Sequence, residues 1–310
     1  MRYLDPRADL TFKKIFGEHE DLVISLLNAL LPLDDNHFVK EVNYIPVEMV
    51  PDNPLKKNSI VDVRCKDDQG RQFLVEMQMI WSEEFMQRVL FNASKAYVRQ
   101  LDKHENYELL QPVYSLNLVN DIFAPDLPDY YHHYDMVNVL HTNKVIEGLH
   151  LIFVELPKFK PQSFSQRKMQ VLWLRFLTEM GNVKKVPVEF MENPEVRKAV
   201  DILEESSYTE AQLNGYDRFW DIVRTERTYY SSARRHGIEE GRAEGRAEGR
   251  AEGRAEGRAE GRAEGRAEGR AEGELAGKLD MARKLKAAGV SNELIIQTSG
   301  LTKDQLDKIE

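Results

Sequence analysis

Much of what can be said about this chain turns on one run, Ile60-Val61-Asp62-Val63-Arg64-Cys65-Lys66-Asp67-Asp68-Gln69-Gly70-Arg71-Gln72-Phe73-Leu74-Val75-Glu76-Met77-Gln78-Met79. Both halves alternate apolar with polar residues, the period of a half-buried strand. Val61, Val63 and Cys65 share one face with Phe73, Val75, Met77 and Met79, which reads as core. The other face holds Asp62, Arg64 and Lys66 from the first half and Gln72, Glu76 and Gln78 from the second. Asp68-Gln69-Gly70, with glycine in the left-handed position, is a common hairpin loop. That register sets Asp67 opposite Arg71, Asp62 opposite Glu76 and Ile60 opposite Gln78. Opposed side chains stand with β-carbons about 5 Å apart, and like charges there destabilise a sheet. A divalent cation removes the conflict, because Mg²⁺ is held by one or two carboxylates with water and phosphate oxygens. The alternative is a solvated polar face. Arg64 and Lys66, on the same face, can contact phosphate or simply neutralise the acids.

Around the hairpin the order is mixed. Asp9 to Leu31 is an amphipathic pattern, with Phe12, Ile15, Phe16, Val23, Leu26, Leu27 and Leu30 apolar, read as one helix ended by Pro32. Val42 to Val50 reads as extended. Ser82 starts a long helix to about Lys103, with Phe85, Val89, Ala93, Ala96 and Tyr97 on one face. Pro112–Phe123, Tyr134–Leu140 and Leu149–Leu156 read as strands. From Gln166 to about Arg235 come helices separated by Gly181, Pro187, Pro194 and Gly215. This is an α/β (α+β) pattern, a sheet flanked by helices.

Farther out lies a sharp composition break, eight copies of Gly-Arg-Ala-Glu from Gly241 to Glu272. Glycine at every fourth position costs about 1 kcal/mol each against alanine in a helix. The period also sets like charges at i,i+4 and opposite charges two apart, where they do not meet. A solvated spacer is the expectation, with a helix if a partner chain packs the Gly/Ala positions. Leu275 to Ala288, a helix from Ser291 ended by Gly300, and the capping box Thr302-Lys303-Asp304-Gln305 then form a short helical module. Its candidate recognition positions carry few basic groups, so docking or dimerisation fits better than a helix-turn-helix. The expected domains are 1–236, a repeat linker 237–274 and the module 275–310.

The 310 residues suffice for an ample core; 42% are hydrophobic and 31% charged, as in soluble globular proteins. No apolar run approaches the roughly 18 residues of a membrane span. The opening Met1-Arg2-Tyr3-Leu4 lacks a signal-peptide stretch, and the single Cys65 fits a reducing compartment, so a cytoplasmic location is expected. A net charge of −9 argues against a generally basic surface but leaves room for a local basic groove. His132-His133 lacks metal-ligand spacing and reads as structural. Cys65 points to the core, against a thiol nucleophile.

Asp62 after Ser59-Ile60-Val61, the hairpin, and Glu76-Met77-Gln78 together resemble the PD-(D/E)XK nuclease superfamily. Asp9-Leu10-Thr11-Phe12-Lys13-Lys14-Ile15-Phe16-Gly17 resembles the opening motif of its recombination-promoting nuclease/transposase (Rpn) branch, and the Gly-Arg-Ala-Glu tail is similar to that branch's C-termini. The resemblance implies a restriction-endonuclease-like core of αβββαβ order that cleaves DNA with Mg²⁺, Mn²⁺ or Ca²⁺. It implies Asp62 and Glu76 as metal ligands, with the Met77 main-chain carbonyl as a third. Gln78 occupies the superfamily's lysine position; the narrower branch commonly carries Gln there. Gln can orient a water but brings neither charge nor a base at neutral pH, so Lys66 or Lys95 is a candidate for the missing charge. Asp9 is a candidate acidic residue of the first helix, or only its cap. Lys13 and Arg88 are further candidates for phosphate or site contact.

The expected function is metal-dependent hydrolysis of DNA, with weak sequence specificity, linked by the resemblance to recombination or transposition. Strand transfer by a transposase would use the same residues. The rival is a nuclease fold without turnover, a binding or assembly protein that self-associates through its tail. DNA and a second copy of the chain are the expected partners, and no membrane.

Overall fold

A computed structural model describes residues 2–34, 37–49, 59–102, 104–160, 168–183 and 185–309. The chain divides into two compact units, Met1–Tyr229 and Tyr230–Glu310.

The first unit opens with α1 (Asp9–Phe16) and α2 (Glu20–Leu30) where the periodicity suggested one helix. The correction has a local cause. Gly17 closes α1 through its amide to the Lys13 carbonyl, and a β-carbon there would lie 2.7 Å from that oxygen. Glu20 and Asp21 then start α2, acids suited to the positive end of a helix. The apolar stripe runs across the break, so Phe12, Ile15, Phe16, Val23, Leu26 and Leu27 are all fully buried.

Six strands form one sheet in the order β1-β4-β5-β6-β8-β7. They are β1 (Val42–Tyr44), β4 (Val63–Asp67), β5 (Gln72–Gln78), β6 (Val113–Val119), β7 (Tyr131–Asn138) and β8 (His141–Glu155). The β1, β4 and β5 pairings are antiparallel, β5, β6 and β8 run parallel, and β7 closes the edge antiparallel to β8. Helix α3 (Glu83–Val98) makes the crossover from β5 to β6 and ends short of the expected boundary; Lys103 lies outside the described residues. So do Val50 and Gln166, the outer limits of two other expected segments.

The β4–β5 register is the one its turn chemistry implies: Val63 faces Val75 and Lys66 faces Gln72, across a loop in which Gly70 has φ 87°. Asp67 secures the turn, accepting from the Arg71 amide at 2.9 Å and pairing with its guanidinium at 2.7 Å in a fully buried contact. Removing one partner of such a pair costs about 3–5 kcal/mol.

Two expectations fail upstream of Val63. Ile60 does not face Gln78. It belongs to β3 (Ser59–Ile60), which pairs with β2 (Glu48–Met49) in a separate small sheet, Ile60 against Glu48. The chain kinks at Val61 and Asp62, where the Val61 amide bonds the Val47 carbonyl and Asp62 Oδ2 accepts from the Met77 amide. The kink moves Val61 off the main core face and into a cluster with Met49, Leu74, Ala93 and Ala96.

The sheet is covered on both faces. Val63, Cys65, Phe73, Val75, Leu116 and Leu118 pack against α1, α2, α4 (Lys168–Glu179) and α6 (Pro194–Ile202). The helix α5 (Val188–Glu192) adds Phe190 to this core. Leu74, Val113 and Phe153 face α3, which contributes Phe85, Val89, Ala93 and Ala96. On the expected polar face of the hairpin Arg64, Gln72 and Glu76 are buried, Asp62 and Gln78 partly so, and Lys66 is exposed.

Gly215 does not separate helices. It lies inside α7, which runs from Glu210 to Ala287 and includes the whole repeat as helix. Three of the four residues in each tetrad, Ala, Arg and Glu, are strong helix formers. Every repeat residue is exposed. The second unit has its own small core: Ala282, Ile295, Leu301, Leu306 and Ile309 join the end of α7 to α8 (Asn292–Ser299) and α9 (Lys303–Asp307). Gly289 and Gly300, at φ 81° and 66°, make the turns, and Thr302 with Gln305 forms the capping box. Among the described residues, no helix is long and apolar enough to cross a membrane.

Candidate active site

Asp62 and Glu76 come together where the kink ahead of β4 meets the C-terminal half of β5. Glu76 is central in the sheet, next to Asn117 of β6, and its side chain is 7% exposed against 23% for Asp62. The pair therefore reaches solvent through Asp62.

Each carboxylate is held from two sides. Asp62 Oδ2 accepts from the Met77 amide at 2.8 Å, and Oδ1 lies 3.7 Å from the ammonium of Lys13. Lys13 in turn pairs with Asp9 one turn earlier at 2.6 Å, so α1 brings an acid and a cation to the site. Glu76 Oε1 accepts from Asn92 Nδ2 at 3.0 Å, and Oε2 lies 3.5 Å from the Arg88 guanidinium. The same guanidinium donates to Gln78 Oε1 at 2.8 Å, while Gln78 Nε2 donates to the Ile80 carbonyl at 2.6 Å.

Burial pushes both carboxyls above the ordinary carboxylate range. For Asp62 it outweighs the Met77 amide and Lys13; for Glu76 it outweighs Asn92 and Arg88, and Asp62's own charge adds to the rise. Lys13 moves the other way from what burial alone would do, because Asp9 and Asp62 hold its proton. Because the charge of Asp62 acts on Glu76, a cation beside them favours the ionised pair.

The remaining candidates are placed as follows. Lys66 stands at the turn end of β4, opposite Asn43 and Gln72. Lys95 donates to the Met49 carbonyl and lies over the Phe91 ring, 5.7 Å from its centroid. Arg64 is spanned between Gln72 and the Pro46 carbonyl, at 2.9 and 3.1 Å. Cys65 is fully buried, and burial pushes its thiol up to about 12, which leaves it inert as a nucleophile. His132 packs under Phe123 with Nε2 3.4 Å from Glu155.

Sequence reading missed Asn92, the buried donor to Glu76, and Ser59, whose hydroxyl donates to Asn92 Oδ1 at 2.6 Å. A signal for Asn92 was available: it stands seven residues after Phe85 and three after Val89, a polar residue inside an apolar helical stripe. Nothing comparable marked Ser59.

A mixed sheet with α3 crossing one face and acids gathered at the β4–β5 hairpin is the arrangement of a restriction-endonuclease-like core. The family described as PD-(D/E)XK nuclease family transposase matches residues 6–227, well over half of the chain, and the chain belongs to that family. No curated protein and no solved structure matches it. Membership supports a nuclease-type hydrolase, and nucleases of this kind generally use divalent metals.

Proposed function

We propose that the chain is a divalent-metal-dependent endonuclease hydrolysing phosphodiester bonds in DNA, with Asp62 and Glu76 holding Mg²⁺, Mn²⁺ or Ca²⁺ and the Met77 main-chain carbonyl assisting. The carrying observation is that a buried Glu76 and a half-buried Asp62, each held by its own donor and cation, stand at one hairpin of a nuclease-family chain. The donor set fits, since hard oxygen ligands suit these ions and a divalent charge offsets the repulsion between them. When bound, such an ion offsets charge on the phosphate and lowers the pKa of its water.

The chain's own residues have separable tasks. The Met77 amide and Lys13 fix the orientation of Asp62, and Asn92, braced by Ser59, fixes that of Glu76. Gln78, anchored at its amide nitrogen by Ile80, aims its carbonyl to orient the attacking water. Arg88, bridging Gln78 and Glu76, brings the positive charge that a Gln lacks. Lys13, half-exposed beside Asp62, grips a backbone phosphate in this reading. DNA is the substrate, read with weak sequence specificity, in recombination or transposition in the cytoplasm; self-association through the tail belongs to the same reading.

The test is incubation of purified protein with supercoiled plasmid in Mg²⁺, Mn²⁺, Ca²⁺ or EDTA, wild type beside Asp62→Ala. Metal-dependent nicking that the substitution removes supports the reading; equal cleavage by both proteins sinks the site. One observation favours a nuclease fold without turnover: each carboxylate already has a cation within 4 Å, Lys13 or Arg88. Folded protein that cleaves nothing under any of these conditions would favour it.

A further inference from the structure

The far edge of the sheet holds a second group of ligand-type side chains that the proposed nuclease reaction does not use. Between the pairs Tyr134–Leu151 and Met136–Ile146, β7 has only Asp135 where β8 runs through Glu147, Gly148, Leu149 and His150. Such irregularities re-aim side chains. Here His133 and Asp135 of β7 and His150 of β8 present ligand atoms all within 4.8 Å of one another.

The contacts draw two imidazoles onto one carboxylate, where a metal ion would replace the bridging protons. A single oxygen, Asp135 Oδ1, lies 2.7 Å from His150 Nδ1 and 2.9 Å from His133 Nε2. His150 Nε2, on the other edge of the ring, lies 3.3 Å from Glu147 Oε2. His150 itself is 6% exposed, and Tyr114 stacks on its ring with centroids 4.4 Å apart, fixing the imidazole plane. The group lines a cavity of about 470 Å³ that also touches Tyr114, which provides an entry path. Two imidazoles and a partly buried carboxylate form an N₂O set suited to Zn²⁺ rather than Mg²⁺, with a fourth position left for water.

We propose that His133 Nε2, Asp135 Oδ1 and His150 Nδ1 bind a transition-metal ion of the Zn²⁺ class, clasping β7 to β8 independently of the Asp62–Glu76 pair. The adjacent His132-His133 pair gave no hint of this, because the spacing that matters is His133-x-Asp135 joined to His150 across the irregular ladder.

The test uses tag-free, full-length protein stripped with EDTA and titrated with Zn²⁺ by calorimetry, and with Co²⁺ followed by its visible absorption. One Zn²⁺ per chain is expected, retained in Asp62→Ala. His133→Ala and Asp135→Asn, at partly exposed positions, should weaken it by at least the roughly 10- to 100-fold that even a supporting partner is worth. Zn²⁺ should raise the melting temperature of wild type and Asp62→Ala, and not of the two ligand variants. Wild type that takes up no Zn²⁺, unchanged binding in His133→Ala and Asp135→Asn, or loss of binding in Asp62→Ala alone would each overturn the proposal.

Discussion

The β4–β5 hairpin and the Gly-Arg-Ala-Glu helix carry the same acidic chemistry in opposite settings. In the repeat, glutamates and arginines recur along a helix whose every residue is exposed, so each charge keeps its water and none depends on a particular partner. Ion pairs in such places contribute little. At the hairpin, Glu76 is buried against α3 and Asp62 is half-buried beside α1, and each is met by a dedicated donor and a cation. Carboxylates in that position oppose folding unless something compensates them. Charge density along a sequence is therefore a weak guide to function, and the cost of keeping a charge where it stands is a better one.

That contrast can be broken or sharpened by experiment. The largest effect belongs to Asp62→Ala or Glu76→Ala: loss of several kcal/mol of barrier lowering, about 10³-fold in nicking rate, with the fold intact by circular dichroism. Next comes the pH dependence of metal stabilisation. Both carboxyls are raised in the folded protein, so in the metal-free state their protonated forms favour folding at low pH, and that contribution is lost as pH rises through the folded values. A divalent ion binds the deprotonated pair, so the increase in melting temperature on adding Mg²⁺ should grow as pH climbs above the ordinary carboxylate range. The corresponding stabilisation should reach about 2.7 kcal/mol at a hundredfold excess over Kd. A shift independent of pH would place the ion elsewhere. Asn92→Ala should cost about 1–3 kcal/mol by leaving Glu76 under-satisfied, read by urea unfolding of the protein. The smallest effect is expected in the tail: replacing arginines of two tetrads by Gln should leave plasmid nicking and the melting of the first unit unchanged. A fall in nicking there would show that the repeat's charges are not interchangeable with solvent-facing charges generally.

Legibility followed how local the causes were. The hairpin register was readable because a glycine with φ 87° and strict alternation on both sides leave few other pairings. The kink at Val61–Asp62 was not, since it is made by Val47 and Met77, residues distant in sequence. The break between α1 and α2 was in principle readable from Gly17 followed by Glu20 and Asp21, yet the apolar stripe crosses it undisturbed and masked it. In the repeat, the glycine and like-charge penalties argued for a spacer, while α7 runs through it and its two ends are anchored in different cores, by Tyr216 and by Ala282. At the site, Asp62 and Glu76 stood out, whereas their supports Asn92 and Ser59 depend on how α3 and β3 pack, which no spacing rule encodes.

The most direct test of the central claim is to soak crystals of the full chain in Mn²⁺ and locate the ion by anomalous scattering. The account predicts a peak bridging the carboxylates of Asp62 and Glu76, absent in Asp62→Ala. Ordered protein with no peak there, and with Glu76 still held only by Asn92 and Arg88, would contradict it.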